Sequence, residues 1–157
     1  SLFNLAMNMI AVFVFALVSG ISPTVRWLEL IPIIGGFVVL ATGLGMLLAA
    51  LYVRFRDVQP IWDVTLQAWF YCSPIMYTAS KYDALSKTFR HLAMLNPPGM
   101  LLTQMGHAFI DPGRLDSAVT TAGGYPLAIG SVLLIPTVFA VGWWFFTREA
   151  PRVAENL

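Results

Sequence analysis

Long apolar runs alternate with short polar breaks along this chain, and their lengths predict membrane-spanning helices. An α-helix needs about 20 apolar residues to cross a bilayer core of roughly 30 Å. The stretches that reach or approach this length are residues 2–21, 27–53, 61–77 and 127–146. Gly20 and Pro23 separate the first two, because both residue types interrupt helices. We therefore predict an all-α membrane protein with about four transmembrane helices.

Two shorter apolar segments lie between the third and fourth stretches. Residues 84–95, "ALSKTFRHLAML", place apolar side chains at helical spacing and end before two prolines. Residues 98–110 form a second short apolar segment. Helices of about a dozen residues are too short to cross and are typical of re-entrant or interfacial segments. We predict two outer helices in one leaflet, and an even number of crossings puts both termini on one side.

Basic residues indicate which side is cytoplasmic, because cytoplasmic loops are enriched in Lys and Arg. One side would hold Arg54, Arg56, Arg148 and Arg152, and the other Arg26, Lys81, Lys87, Arg90 and Arg114. The two counts nearly tie. The first group is concentrated in a tight loop and a tail, which favours a cytoplasmic C-terminus.

Composition excludes several classes of protein. The 157 residues are 58% hydrophobic and 11% charged, whereas soluble domains carry about 25% charged residues. The mean hydropathy is +0.75. A net charge of +1 gives no reason to expect a nucleic-acid partner, and Cys72, the single cysteine, predicts neither an internal disulfide nor a metal site. We see no lysine-containing phosphate loop and no Ser/His/Asp set, so we expect no enzyme activity and no cofactor in this chain.

The third stretch carries polar groups that lipid would penalise. Asp63 and Gln67 are four residues apart and so share one helical face. Burial of each against lipid would cost several kcal/mol. Asn4 and Asn8 have the same spacing in the first stretch. Either the two pairs bond to each other, or they line a hydrated entrance.

Aromatic residues follow along the same stretch. They are Trp62, Trp69, Phe70, Tyr71 and Tyr77. Trp62 and Tyr77 lie near the ends, where aromatic rings anchor helices at the membrane interface. The three in the middle are too deep for that role, so they either pack or offer apolar faces to sugar rings. Pro74 removes a backbone hydrogen bond and predicts a kink or break.

The loop before this stretch is basic. Arg54 and Arg56 directly follow an apolar run, and guanidinium groups can hold lipid phosphates or a diphosphate bidentately. Simple anchoring of the loop in the cytoplasm explains them as well. Asp57 can pin one arginine and serve as the N-cap of the next helix, with Pro60 in its first turn.

Small residues recur within the second stretch. Ala41, Gly45 and Ala49 follow one another at a spacing of four, which allows two helices to approach closely. Small residues are common in any membrane helix. This face therefore either packs against another helix or has no specific role, and the sequence favours neither alternative.

Three motifs resemble a known family. "VRFRDV", "WFYCSPIMY" and "LNPPGML", in this order, resemble the C-terminal half of the permease subunits of ABC-2 type polysaccharide exporters. These subunits move O-antigen, teichoic acid or galactan. The closing "FTREAPRVAENL" resembles the mycobacterial galactan exporters, which serve the cell wall.

The resemblance implies a larger assembly in the bacterial plasma (inner) membrane. Family members have six spans, so this chain would hold the last four, and we expect two more spans upstream of Ser1. They act as homodimers, surrounded by membrane lipids and seated on a nucleotide-binding ATPase subunit that holds ATP and Mg. A lipid-diphosphate-linked glycan enters from the cytoplasm and leaves outward.

The resemblance also implies roles for individual residues. The substrate channel would comprise Asp63, Gln67, Trp69, Phe70, Tyr71, Ser73, Pro74 and Tyr77. The headgroup of the lipid carrier would meet Arg54, Arg56 and Asp57, and the outer gate would contain Asn96 and Pro97. Residues 82–110 would then lie outside the cell.

Three other functions compete with polysaccharide export. A drug or lipid exporter of the same type would have a more uniformly apolar channel, without aromatic residues beside Gln67. A non-transporting membrane scaffold would leave Asp63 and Gln67 on a lipid-facing helix unexplained. An intramembrane enzyme ranks last because we find no nucleophile and base pair.

Overall fold

Helices make up almost all of the described structure. The computed structural model describes residues 2–21, 24–55, 57–73, 93–110 and 115–155. The helices are α1 (Leu2–Val18), a short 3₁₀ helix (Val25–Glu29), α2 (Leu30–Arg54), α3 (Val58–Cys72), α4 (Pro97–Phe109), α5 (Ala118–Ala122) and α6 (Tyr125–Glu155). Residues 93–95 are also helical. No strand occurs within these ranges, which confirms the predicted all-α class.

Two helical segments are long and apolar enough to cross a membrane. They are Val25–Val53, which includes the 3₁₀ helix, and Tyr125–Glu149. The apolar part of α1, Met7–Val18, is shorter, and α3 has 15 residues. Of the part of the chain that the structure describes, these two segments alone meet the length requirement, and the number of four spans stays a prediction.

Helices α2 and α6 pack directly against each other through glycines. A Cβ atom added to Gly43 would lie 2.6 Å from the Cα of Phe139, and one added to Gly142 would overlap the carbonyl group of Gly43. Seven residues earlier on both helices, Gly36 lies beside Ile135. The contacts follow the same order along both helices, so α2 and α6 run parallel. Glycine permits this backbone-to-backbone approach.

The small residues that the sequence singled out are not the ones that pack. Ala41, Gly45 and Ala49 are exposed, and a Cβ added to Gly45 would meet nothing within 4 Å. The closest approach of α2 to α6 is at Gly43, on a different face of the same helix. Spacing of small residues alone did not identify the face that meets a partner.

The parallel pair has a topological consequence. If α2 and α6 both cross the membrane in one direction, the chain must cross back between them. Helix α3 lies between them in the chain, and its C-terminal end bonds to Asn96 at the start of α4. Its 15 residues rise about 22 Å as an α-helix. This is less than the roughly 30 Å of a bilayer core, so a crossing by α3 stays a prediction.

Helix α4 packs into the core. Leu101 joins Ile33, Leu40 and Ile135 in one buried apolar cluster. Met100 contributes to a second cluster with residues of α5 and α6. The short helices after α3 are thus held against the long parallel pair by apolar contacts.

Three aromatic rings join α1 to this core. Phe13 of α1, Trp27 of the 3₁₀ helix and Phe109 of α4 lie with ring centroids 5.0 to 5.5 Å apart. The tilted and edge-on geometries are those that aromatic pairs prefer. Together they fix the C-terminal half of α1 near the start of α2.

A polar clasp, formed by Arg26, Glu29, Gln104 and His107, lies beside these rings. Gln104 donates to the Glu29 carboxylate at 2.8 Å and accepts from the backbone N–H of Ala118 at 3.1 Å. The Nε2 atom of His107 lies 3.2 Å from Arg26, and its Nδ1 atom lies 2.6 Å from the carbonyl oxygen of Leu115. Because an arginine only donates, Nε2 accepts there and Nδ1 carries the proton. The clasp ties the start of α2 to α4 and to the segment before α5.

Much of the remaining surface is apolar. Phe3 and Phe15 of α1 are each 74% exposed, and Val64 of α3 is 67% exposed. Exposed threonine hydroxyls at Thr42 and Thr137 donate to the carbonyl four residues earlier in their own helix, so they need no water. These surfaces suit lipid or protein neighbours.

The C-terminal part of α6 carries an aromatic and basic group. Trp143, Trp144 and Phe146 are all exposed, and the guanidinium of Arg148 lies 5.4 Å from the ring centroid of Trp144. Exposed tryptophans beside an arginine are typical of the membrane–water interface. This end of α6 therefore has the character of an interfacial anchor.

Candidate substrate-facing helix and its junction with α4

Helix α3 begins close to where α2 ends. Arg54 is the last residue of α2 and Asp57 takes the N-cap position of α3. The predicted N-cap position of Asp57 is therefore confirmed, but its side chain makes no capping hydrogen bond. Arg56 lies outside the described residues. The diphosphate role of this loop stays a prediction.

A groove separates the two helices at this end. Its volume is about 330 Å³, and it is lined by Leu48, Ala49, Tyr52, Val58, Gln59 and Trp62. The lining is almost entirely apolar, and Gln59 is its one residue with a side-chain amide. The groove thus lies between α2 and α3, close to the basic loop that connects them.

One side of α3 is exposed and mixes polar with aromatic groups. Asp63, Gln67 and Phe70 follow one another at helical spacing, and all three are exposed, as is Tyr71. The rings of Phe70 and Tyr71 meet edge to face, with centroids 5.7 Å apart. Among the residues that the structure describes, neither Asp63 nor Gln67 has a hydrogen-bond partner. This side therefore presents a carboxylate, an amide and two rings to whatever lies beside it.

The two polar pairs do not bond to each other. Asn4 and Asn8 of α1 are exposed, and no hydrogen bond joins either to Asp63 or Gln67 within the described ranges. The alternative in which α1 and α3 satisfy one another's polar groups is therefore wrong for this chain. The alternative that remains is that these polar groups line a surface that meets water, substrate or another chain.

The opposite side of α3 faces the rest of the molecule. Trp62 and Trp69 lie seven residues apart, two turns along one face, and their rings meet edge to face at 6.2 Å. Ser73 follows on the same face and is only 3% exposed. The sequence had grouped Trp69 with Phe70 and Tyr71, but the structure puts Trp69 on the inward side.

A three-residue junction, formed by Trp69, Ser73 and Asn96, joins the end of α3 to the start of α4. The indole N–H of Trp69 donates to Asn96 Oδ1 at 2.6 Å. The amide of Asn96 donates to Ser73 Oγ at 3.0 Å, and that hydroxyl donates to the Trp69 carbonyl at 2.9 Å. Pro97, the other predicted gate residue, is buried as the first residue of α4. The structure thus brings two predicted channel residues together with one predicted gate residue.

The remaining predicted channel residues are not placed. Pro74 and Tyr77 lie outside the described residues. The polar clasp was missed altogether, since its members are isolated polar residues within or beside apolar runs. For the junction, the sequence offered a partial hint in Asn96, because the proline two residues later lacks one of the N–H groups that an N-cap side chain normally bonds. Within the described ranges, no group of three or more His, Cys, Asp and Glu residues could hold a metal ion.

Comparison with known proteins agrees with the three motifs. Two proteins from Klebsiella pneumoniae, each named O-antigen export system permease protein RfbA, match at 29% identity over 98 residues and 27% over 99 residues. The chain is similar to O-antigen export permeases. Each match covers 62% of this chain and 37% of the relative, so the matched part spans just over a third of those proteins. No protein-family model matches the chain, and no solved structure matches it.

Proposed function

We propose that this chain is part of the permease subunit of an ABC-2 type exporter that moves a lipid-linked polysaccharide across the bacterial plasma membrane. The similarity to two O-antigen export permeases supports the class of transporter. The observation that carries the proposal is the exposed side of α3, where Asp63, Gln67, Phe70 and Tyr71 lie together without partners from the described core. Such a side suits a wet passage better than hydrocarbon.

The chemistry of a glycan fits this side. Sugar rings have apolar faces that stack on aromatic rings and hydroxyl edges that bond to carboxylates and amides. Phe70 and Tyr71 would supply the stacking surface, and Asp63 and Gln67 the polar contacts near the cytoplasmic end. No pair of nucleophile and base is needed, so the chain would conduct its substrate unchanged, and ATP would be hydrolysed with Mg by a separate subunit.

The assembly that we propose is a homodimer with its C-termini in the cytoplasm. The parallel α2 and α6 then both begin outside, and the interfacial group at Trp144 and Arg148 lies at the inner surface. The large apolar exposures on α1 and α3 would be covered by further spans of the permease, a second copy or lipid. Arg54 and Arg56 would meet the diphosphate of the lipid carrier at the inner surface.

The substrate class is tested by export from cells. We expect the double substitution Phe70→Ala and Tyr71→Ala to slow appearance of the glycan at the surface about tenfold, since base or ring stacking on one aromatic contributes about 1–3 kcal/mol in other systems. Val64→Ala, at a 67% exposed apolar position of the same helix, is the matched control. Normal export in the double variant would contradict the role of Phe70 and Tyr71 as a stacking surface for the glycan.

Affinity purification from the native membrane separates the classes of function. Co-purification of an ATPase subunit supports an exporter, and its absence supports a scaffold. Export of O-antigen, teichoic acid or galactan in strains that make only one of them then identifies the glycan; galactan is the choice favoured by the C-terminal tail. Efflux of a hydrophobic drug or a lipid with no glycan export would support the alternative exporter.

A further inference from the structure

We infer that Asn96 is a positioning residue that fixes the exposed side of α3 relative to α4. It acts through the junction with Trp69 and Ser73, and this inference rests on the proposed function only in taking that side to face the substrate. Trp69 then does not stack on sugar itself. It holds the end of the helix on which Phe70 and Tyr71 stand.

The hydrogen bonds of the junction have a single consistent direction. An indole N–H can only donate, so the atom of Asn96 at 2.6 Å from it must be the carbonyl oxygen. The amide nitrogen is thereby turned to Ser73, 3.0 Å away, and the Ser73 hydroxyl passes its own proton to the Trp69 carbonyl. Both ends of the Asn96 amide are engaged, which fixes its orientation.

The Asn96 side chain is available for this role because it does not cap α4. It occupies the N-cap position of α4, where an asparagine side chain normally accepts from the backbone N–H two or three residues later. Pro98, two residues later, has no N–H, and the Asn96 side chain makes no capping bond to Gly99, the next residue, either. Its backbone carbonyl still accepts from Met100 at 3.0 Å. The helix therefore begins normally while the side chain reaches across to α3.

The surroundings of the junction favour one arrangement. Ser73 is 3% exposed, and Met94, two residues before Asn96, is fully buried. Water has little access there, so an amide, hydroxyl or indole without its partner is costly. Helix α4 is itself fixed on α2 and α6 through Leu101. The junction transmits that fixed position to the end of α3.

The test compares Asn96→Leu with Asn96→Asp in the full permease complex purified from its native membrane. Leucine has a similar size and no polar atom, whereas aspartate keeps an oxygen for the indole N–H. Of the five tryptophans, Trp69 is assigned by the ¹⁵N indole resonance that disappears in Trp69→Phe. Trp27, Trp143 and Trp144 serve as internal controls, whereas Trp62 does not, because its ring contacts that of Trp69.

We expect the Trp69 indole proton to shift upfield in Asn96→Leu and to stay in place in Asn96→Asp. Glycan export, normalised to the amount of complex in the membrane, should fall about tenfold in Asn96→Leu, the order that follows from leaving the half-buried Trp69 donor unpaired, and should largely recover in Asn96→Asp. Ser73→Ala removes the two bonds made by the Ser73 hydroxyl but leaves the bond from the Trp69 indole to Asn96, so it should give a smaller loss in a well-folded protein.

An unmoved Trp69 resonance in Asn96→Leu would overturn the junction, whatever the protein transports. A shifted resonance with undiminished export would overturn the positioning role and leave the proposed function standing. A wild-type complex that exports no glycan would remove the proposed function, and the indole resonances would still decide whether Asn96 holds Trp69.

Discussion

The close contact of α2 with α6 offers a quantitative test of the fold. Substitution of Gly142 by alanine would place a Cβ atom 3.3 Å from the Cα of Gly43 and closer still to its carbonyl oxygen. Carbon and oxygen atoms do not normally approach nearer than about 3.3 Å, so α2 and α6 must move apart by roughly 1 Å at this point. Overpacking of this kind costs about 1–3 kcal/mol, and the separated surfaces also lose dispersion contacts.

The same substitution at Gly45 is the matched control. An added Cβ there meets nothing within 4 Å, and alanine is the better helix former by up to about 1 kcal/mol. The gain in helix propensity is common to both substitutions and cancels in their difference. We therefore expect the free energies of unfolding of Gly142→Ala and Gly45→Ala to differ by about 1–3 kcal/mol, with Gly142→Ala the less stable.

The measurement is unfolding by SDS in mixed micelles, followed by far-UV circular dichroism. Gly43→Ala provides a second test of the same contact, because its Cβ would lie 2.6 Å from the Cα of Phe139. If Gly142→Ala and Gly43→Ala unfold at the same SDS fraction as Gly45→Ala, the parallel packing of α2 on α6 is wrong.

Three further outcomes follow from the described contacts and the proposed function. Gln104→Leu should destabilise the fold by about 1–3 kcal/mol, measured by the same SDS titration, because it leaves the Ala118 N–H without its acceptor. Trp27→Leu should cost about 1–3 kcal/mol in that titration, since it removes two ring contacts worth about 0.5–1.5 kcal/mol each. Charge reversal of Arg54 and Arg56 to Glu should abolish glycan export in cells while the amount of folded protein is unchanged.

Each of these has its own control. For Gln104→Leu, the comparison is Gln67→Leu, since Gln67 is exposed on α3 and has no described partner; equal stabilities would argue against the clasp. For Trp27→Leu it is Phe15→Leu, at a 74% exposed ring. For the arginines, lysine at both positions separates charge from bidentate geometry, and full export with lysine would show that charge suffices.

The sequence alone determined the helical class and the presence of long apolar helices. Hydropathy and helix-breaking residues act over a few neighbours, so the start of α3 next to Asp57 and the stop before Pro97 could be predicted from local chemistry. The motif resemblance then pointed to the same family of transport proteins as the two relatives.

The tertiary structure decided which residues meet. It put Gly43 rather than Gly45 against α6, and it separated Trp69 from Phe70 and Tyr71 by joining its indole to Asn96, which is 27 residues away in the chain. Helical spacing fixes which side chains share a face, but it does not say which face a distant segment will cover. That choice depends on how all helices pack at once, and here the long parallel pair and the hydrogen bonds of Asn96 to Trp69 and Ser73 settled it.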